Sequence, residues 1–181
     1  MRHATLALVP TALLSACAAI GPRYEEQMAA APPLAEQHAR IVVFRQSSTP
    51  QYAIREARLQ LDRAAVGGVM PSGFRVFDLP AGAHTVVADM WDAPGRCELT
   101  LRVEAGTTAY VEVAPRLAAW LAGAPSMTAP PTPMGSFIGL ALMLTGMAAE
   151  SSGKECGGAF ALSVVDEAAV LPTLAQLRSS Q

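Results

Sequence analysis

The 181-residue sequence lacks the residue patterns on which most catalytic and nucleic-acid-binding sites depend. Charged residues make up only 15% of the chain and the formal net charge is −2, so no basic surface for nucleic acid is predicted. Neither a CxxC spacing nor a G-x-S-x-G motif occurs, and histidines number only three. The sequence therefore offers no thiol redox motif and no hydrolase nucleophile elbow, and we predict no cofactor.

Two histidines and two methionines are the remaining candidates for metal-dependent or pH-dependent chemistry. His38 lies in a polar stretch and His84 follows a turn, and neither has a second ligand nearby in sequence. His84 is interpreted as a strand residue that packs beside the turn, with a pH-sensitive or metal contact as the alternative. Met143 and Met147 would share a helical face, as gap-filling core residues or, alternatively, as thioether ligands of Cu(I). No metal site is predicted.

Acidic side chains near Trp91 provide the one enzymatic hypothesis. Asp89 and Asp92 flank Trp91, and Glu98 follows in the next predicted strand. Aromatic rings stack on sugars, and paired carboxylates perform the acid–base steps of glycoside hydrolysis. Aspartates at a strand end more commonly form turns, so the pattern favours structural roles. No catalytic residue is assigned, and glycan hydrolysis stays an alternative that requires these carboxylates to meet in a cleft.

The first sixteen residues, 1–16, have the pattern of a secretory signal peptide. A short basic start, Met1–His3, precedes an apolar stretch from Ala4 to Leu14 that is too short to span a bilayer. Leu14-Ser15-Ala16-Cys17 then resembles the lipobox of bacterial lipoproteins. The alternative is an ordinary secretory signal that happens to contain a cysteine.

The lipobox resemblance implies a membrane anchor. Cleavage after residue 16 makes Cys17 the first residue, bearing a diacylglycerol thioether and an N-acyl chain, and several chains hold a protein firmly in a bilayer. Ala18 stands in place of the aspartate that retains such lipoproteins in the inner membrane. We therefore expect the periplasmic side of the outer membrane, with the inner membrane as the alternative. Residues 17–39, the lipidated cysteine and an Ala-, Pro- and Glu-rich stretch, are predicted to form a flexible tether.

Two further cysteines, Cys97 and Cys156, remain in the mature chain. In an oxidising periplasm an even pair favours a disulfide bond, which contributes about 4 kcal/mol by restricting the unfolded chain. The alternative, a metal or redox pair, lacks a neighbouring histidine and a CxxC spacing.

Residues 40–116 are predicted to supply the core strands of an antiparallel, immunoglobulin-like β-sandwich. The clearest alternation is in ELTLRVE and TAYVEVA, where every second side chain is apolar and points inward. RIVVFR, RLQLD and AVGGVM are further strands, and Gly67-Gly68 favours a bulge or a close backbone approach. The segment Pro80–Gly82 is expected to close a hairpin between GFRVFDL and AHTVVADMW. Short strands separated by Gly or Pro turns are typical of an all-β sandwich.

The sequence changes character after Arg116. Residues 117–149 contain no charged side chain, and APPTPMG interrupts the run, so one continuous transmembrane helix is excluded. Residues 117–158 are predicted to form an apolar helical insert. Two interpretations stay open: the insert packs on the sandwich, or it contacts a membrane or a partner.

Residues 159–181 are predicted to complete the same domain with a final strand and a short C-terminal helix. In the strand, alternate apolar residues are expected to point inward: Phe160, Leu162 and Val164. Asp166 is expected to cap the helix, and Pro172 to restart or kink it. Three leucines are expected to share its buried side: Leu171, Leu174 and Leu177.

The order of these strands resembles a known family. ARIVVFRQ, ARLQLDRAAVGGVMPSGFRVFDLPAGAHTVVA, VEAGTTAYVEV and GGAFALSVVDEAAVLPTLAQLR look like small bacterial envelope lipoproteins whose central domain has no known function. The motifs D-x-x-x-V-G, P-x-G-x-H and A-G-x-x-Y are also similar to carbohydrate-surface sandwiches of the PEGA type. Arg63 departs from that pattern, which commonly has glycine after the aspartate. The resemblance implies no catalytic residues.

These observations predict a lipid-anchored protein of the cell envelope that is not an enzyme and serves as a binding or structural module. Its expected contacts are the membrane through Cys17 and an envelope protein or cell-wall glycan through 117–149. The alternative function is a small periplasmic hydrolase that acts on envelope glycan with carboxylates near Trp91.

Overall fold

Two stacked β-sheets carry the fold in the computed structural model, which describes residues 19–46, 55–116 and 156–180. The strands are β1 (His38–Arg45), β2 (Ala57–Leu61), β3 (Ala64–Val69), β4 (Gly73–Pro80), β5 (Gly82–Asp89), β6 (Arg96–Val103), β7 (Thr108–Pro115), β8 (Phe160–Val165) and β9 (Arg178–Ser179). The helices are α1 (Tyr24–Ala30) and α2 (Glu167–Leu174).

The two sheets differ in size and pairing. The five-stranded sheet has the order β8-β7-β1-β4-β9, and the four-stranded sheet has the order β3-β2-β5-β6. Neighbouring strands are antiparallel except for β1 with β7 and β4 with β9, which are parallel. The all-β sandwich predicted from the sequence is therefore confirmed, with two parallel pairs inside a mainly antiparallel arrangement.

The main hydrophobic core lies between the two sheets. It is built from the alternate apolar residues predicted to point inward, including Leu101, Val103, Val111 and Val113, all of which are buried. Burial of one face per strand is what period-two alternation specifies, because successive side chains of a strand point to opposite faces. The inward assignment in β6 and β7 is confirmed.

A second core covers the outer face of the five-stranded sheet. Val42, Phe44 and Phe74 pack there against Tyr24 of α1 and Leu174 of α2, and all five are buried. Both faces of β1 are therefore covered, which explains why its sequence is a continuous apolar run without alternation.

The hairpin expected at Pro80–Gly82 is wrong. β4 pairs with β1 in the five-stranded sheet, whereas β5 pairs with β2 and β6 in the other sheet. Only Ala81 separates the two strands, which is too short for the usual two-residue hairpin loop. The chain consequently turns a corner between the sheets, and the Ala81 N–H donates to the Gln37 carbonyl at 2.7 Å.

The β2–β3 connection is a true two-residue hairpin. Asp62 and Arg63 both have positive φ angles, 49° and 71°, as a type I′ turn requires. The pairing register of β2 and β3 shifts between Arg58 and Gln60, opposite Gly67, whose φ is +88°. The bulge expected at Gly67-Gly68 is confirmed.

The described part of the expected tether is ordered against the domain. Gly21 N–H donates to the Ser179 carbonyl at 3.1 Å, and Ser179 N–H donates to the Pro22 carbonyl at 2.8 Å. Ala19 and Tyr24 are buried, with 7% and 8% of their surface exposed. This differs from the flexible tether expected over 17–39, because Tyr24 gives the short helix an apolar anchor on the sheet.

The C-terminal strand and helix are present with two corrections. Phe160 and Leu162 face the main core as expected, but Val164 is 55% exposed because β8 is an edge strand. Leu171 is 41% exposed, and Val170 takes its place beside Leu174 on the buried face of α2. Asp166 occupies the N-cap position without a side-chain hydrogen bond, and Pro172 lies inside the helix.

A disulfide bond joins the edges of the two sheets. It connects Cys97 in β6 with Cys156, which precedes β8, across a sequence separation of 59 residues. β6 and β8 are outer strands of their sheets, and Gly157 N–H donates to the Arg96 carbonyl at 2.9 Å beside the bond. The pairing favoured by the even cysteine count is present and closes one side of the sandwich.

Several predictions concern residues outside the described ranges: the signal peptide 1–16, Cys17, the methionine pair Met143 and Met147, and most of the insert, 117–155. Within 19–46, 55–116 and 156–180, no helix is long and apolar enough to cross a membrane.

Candidate functional site

His84 is held in a hydrogen-bonded cluster where β2, β4 and β5 meet. Its Nδ1 lies 2.6 Å from Asp62 Oδ2 and its Nε2 lies 2.8 Å from the Pro80 carbonyl oxygen. Asp62 is fixed in turn, because its Oδ1 accepts the Thr85 N–H at 2.9 Å. A neutral imidazole donates through only one nitrogen, so two acceptors favour the protonated ring.

The cluster shifts the pKa values of both partners in opposite directions. Burial lowers the pKa of His84, but the hydrogen bonds with Asp62 and the Pro80 carbonyl outweigh it and raise that pKa above its usual value. Hydrogen bonds from His84 and from the Thr85 amide lower the pKa of Asp62. His84 packs beside the turn as expected. Because the cluster raises its pKa, the protonation state of His84 also affects the stability of the fold.

The carboxylates near Trp91 are engaged with separate arginines. Asp89 Oδ1 accepts from Arg58 Nε at 2.6 Å, and Asp92 forms a salt bridge with Arg55. Glu98 lies 3.9 Å from Arg96 and is half exposed. The hydrolase hypothesis requires two carboxylates that share one substrate, whereas here each has its own cation.

Metal-binding geometry is missing from the described ranges. No group of three His, Cys, Asp or Glu side chains within them could hold a metal ion. His84 therefore has Asp62 as a salt-bridge partner and no second imidazole or thiolate beside it in that part of the chain.

A cleft of about 590 Å³ between α1 and the outer face of the five-stranded sheet has the size of a ligand-binding site. Its polar wall includes Arg40, Asp78, Ser179 and Ser180. The amide oxygen of Gln27 is buried there without a hydrogen-bond partner in the described part of the chain. The cleft was not predicted, because it depends on the position of α1.

A bidentate ion pair forms the floor of this cleft. Arg40 donates from Nε to Asp78 Oδ1 at 2.7 Å and from Nη2 to Asp78 Oδ2 at 2.8 Å. The hydrogen bonds from Arg40 lower the pKa of Asp78. Sequence reasoning missed the pair because it depends on the register of β1 and β4, which sets Arg40 opposite Asp78. The carboxylate is neutralised, so the cleft is suited to binding and not to proton transfer by Asp78.

A second unpredicted feature is the fully buried Arg45 at the end of β1. Its guanidinium lies 4.9 Å from the centroid of the Phe160 ring, and Nη1 donates to the Arg55 carbonyl. A cation over an aromatic face is stabilising when desolvated. Arg45 thus links β1, β8 and the chain that leads into β2, and its role is to hold these elements together.

Comparison with known proteins does not assign the chain to a family. No protein-family model and no curated protein matches the chain. Among solved structures, the N-terminal domain of AlgF from P. aeruginosa is similar over 48% of this chain and 85% of that chain, with 16% identity and a TM-score of 0.30. A similarity at that level carries no argument about fold or function, so the resemblance to envelope lipoproteins stays a prediction.

Proposed function

We propose that the chain is a lipid-anchored protein of the cell envelope, held at Cys17, whose folded domain is a non-enzymatic binding or structural module. The main support for this proposal is the order of a basic start, an apolar stretch and Leu-Ser-Ala-Cys at residues 14–17. The disulfide between Cys97 and Cys156 supports the proposal, because such bonds persist in oxidising compartments like the periplasm.

The outer membrane is the proposed location, on its periplasmic side, since Ala18 follows the cysteine in place of an inner-membrane retention signal. Its partner is proposed to be an envelope protein or a cell-wall glycan contacted through residues 117–149. The insert is the natural candidate because its sequence contains no charged residue over that stretch.

The non-enzymatic role is supported by how the candidate groups are engaged. Asp89, Asp92 and Glu98 lie next to Arg58, Arg55 and Arg96, respectively. His84 is paired with Asp62. No observation on the described residues favours the hydrolase alternative, which stays a prediction from the sequence.

Metabolic labelling with an alkyne palmitate analogue, followed by membrane fractionation, tests the anchor. The wild type should be labelled and recovered with the outer membrane, and Cys17→Ser should lose both properties. Cys156→Ser is the matched control and should keep the label, since it removes a cysteine that is not the proposed anchor. A labelled Cys17→Ser protein, or an unlabelled wild type in the cytosol, contradicts the proposal.

Crosslinking in intact cells tests the partner contact. A chain without residues 117–149 should lose the crosslinked species that the wild type forms while keeping its palmitate label. An unchanged set of crosslinked species would show that the insert is packing alone.

A further inference from the structure

We call one end of the sandwich the proximal end: β1, β5 and β7 end there, and β4, β6 and β8 begin there. Strand registers place Arg45 opposite Gly73, Asp89 opposite Arg96, and Pro115 opposite Phe160. The described residues on either side of 117–155, Arg116 and Cys156, follow β7 and precede β8 at this same end.

The start of the described chain is fixed at the proximal end. Gly21 is hydrogen-bonded to Ser179, which follows the residue paired with Gly73. Ala19 packs so closely that a Cβ added to Gly73 would lie 2.9 Å from the Ala19 Cβ. Ala19, the first described residue, therefore lies at the proximal end.

Little chain is left to separate the domain from an anchor at Cys17. An extended chain spans about 3.3–3.6 Å per residue, so the two steps from Cys17 to Ala19 reach about 7 Å. The tether expected from the sequence, by contrast, reaches about 25 Å. A lipid on Cys17 therefore holds the proximal end against the bilayer surface. This inference rests on the proposed function, because it requires that Cys17 is lipidated.

The proximal end also exposes apolar side chains suited to that surface. Ile20 is 82% exposed and Trp91 is 70% exposed, the two highest values among the large apolar residues of the described ranges. Single exposed apolar residues are common on soluble proteins. These two share the end to which the anchor is tied, and tryptophan is favoured at membrane–water interfaces.

We propose that the proximal end is a bilayer-contact surface in which Ile20 enters the interface beside the anchor and Trp91 contacts the headgroup region. Arg96 lies opposite Asp89 in the β5–β6 pair, and its side chain is 63% exposed with Glu98 3.9 Å away. This long, exposed ion pair leaves the guanidinium placed to meet lipid phosphates. The occupant of this surface is a lipid bilayer, because the short covalent link from Cys17 brings lipid to this end.

Depth-dependent fluorescence quenching tests the surface. The acylated protein is purified, reconstituted in phosphatidylethanolamine–phosphatidylglycerol vesicles that contain brominated lipids, and checked for acylation by intact mass. Trp120→Phe leaves Trp91 as the single tryptophan, whose emission should be quenched several-fold more strongly than that of a distal reporter. That reporter is Ala105→Trp with Trp91→Phe and Trp120→Phe, because Ala105 is exposed in the turn at the opposite end.

A variant with a longer linker tests whether the short link to Cys17, and not acylation alone, places Trp91 at the bilayer. Insertion of roughly twenty Gly and Ser residues between Ala18 and Ala19 restores a reach of about 25 Å and should keep the acyl groups but weaken the quenching of Trp91. An acylated wild type with Trp91 no better quenched than the distal reporter overturns the contact surface and leaves the proposed anchor intact. A protein without acyl groups overturns both.

Discussion

Arg63 adopts a backbone conformation that side chains with a Cβ avoid. It follows Asp62 in the type I′ turn, with φ of 71°, and is exposed. The left-handed region costs a residue other than glycine roughly 1 kcal/mol or more. The departure from the Asp-Gly pattern seen in the sequence is thus accommodated without any change of turn type.

Replacement of this arginine should stabilise the fold. Arg63→Gly is expected to raise the free energy of unfolding by about 0.5–1 kcal/mol, because the relief of strain exceeds the added entropy of the unfolded chain. Urea unfolding with an unchanged m-value measures this. Arg102→Gly, at an exposed position inside β6, is the control and should lower stability by a similar amount. A less stable Arg63→Gly protein would contradict the assignment of strain to this residue.

His84 should make stability depend on pH near neutrality. Its pKa is raised in the folded protein, so the stabilisation is complete below the unfolded value of about 6.5 and is lost as pH rises through the folded pKa. Asp62 has a lowered pKa, so its contribution is complete above about 3.9 and is lost as pH falls through its folded pKa. The pair therefore contributes most between about pH 4 and 6.5.

Urea unfolding of three proteins at several pH values tests the predicted direction of this pH dependence of stability. The wild type should lose stability from pH 6 to pH 8.5 relative to His84→Gln, which lacks the titrating ring. Asp62→Asn, which removes the carboxylate but keeps the ring, should show a smaller loss. An equal pH dependence in the wild type and His84→Gln would mean that His84 contributes nothing to it.

At the scale of elements, α1 packs the N-terminal segment onto the five-stranded sheet, where a flexible tether was expected. The helix has only seven residues and a single buried aromatic side chain, Tyr24, whose ring packs edge-on to Phe74 at a centroid distance of 5.4 Å. The Tyr24 hydroxyl lies 3.5 Å from that of Tyr110, which contacts Glu167 of α2 at 3.4 Å. Burial, together with these contacts, raises the pKa of Tyr110. Both helices are thus tied to β7.

Tyr24→Ala should cost about 3 kcal/mol of stability, the usual cost of truncating a buried aromatic residue. Glu25→Ala, on the exposed side of the same helix, should change stability by less than about 0.5 kcal/mol. Chemical denaturation measures both values, and limited proteolysis should show faster cleavage before His38 in Tyr24→Ala alone. A neutral Tyr24→Ala would instead support the flexible tether expected from the sequence.

The disulfide bond is the second device that holds elements together. Removing both cysteines, Cys97→Ser with Cys156→Ser, should lower the free energy of unfolding by up to about 4 kcal/mol, since a long loop is no longer closed in the unfolded chain. Alkylation of the denatured wild type under non-reducing conditions should modify neither thiol. Free thiols at both positions would show that Cys97 and Cys156 are not bonded to each other.

At the scale of the whole molecule, local patterns predict strands and inward faces but not which sheet a strand joins. Alternation in β6 and β7 identified the residues that face the main core, because successive side chains of a strand point to opposite faces. It did not predict that Tyr110, on the other face of β7, is buried in the second core. The β4–β5 hairpin failed because sheet membership depends on distant partners, here β1 and β2. The prediction for Leu171 was wrong because Val170, one turn before Leu174, occupies the buried face of α2, whereas Leu177 is buried beyond the end of the helix.

The candidate cleft is even harder to predict from the sequence than the sheet to which each strand belongs. It requires the register that pairs Arg40 with Asp78 and the docking of α1 by a single tyrosine, and neither has a local signal. The lipobox-like stretch Leu14–Cys17, by contrast, is a local pattern, so the proposed lipidation of Cys17 is a prediction from the sequence alone. Cys17 precedes the described residues, and its proposed lipidation determines where the whole domain is held.

Mass spectrometry of the mature N-terminal peptide is the direct test of the proposed lipidation of Cys17. Trypsin cleavage after Arg23 should release a peptide that begins at Cys17 and carries both a thioether-linked diacylglycerol and an amide-linked acyl chain. A peptide with an unmodified Cys17, or one that still carries residues of the 1–16 segment, would show that Cys17 is not a processed and lipidated N-terminus.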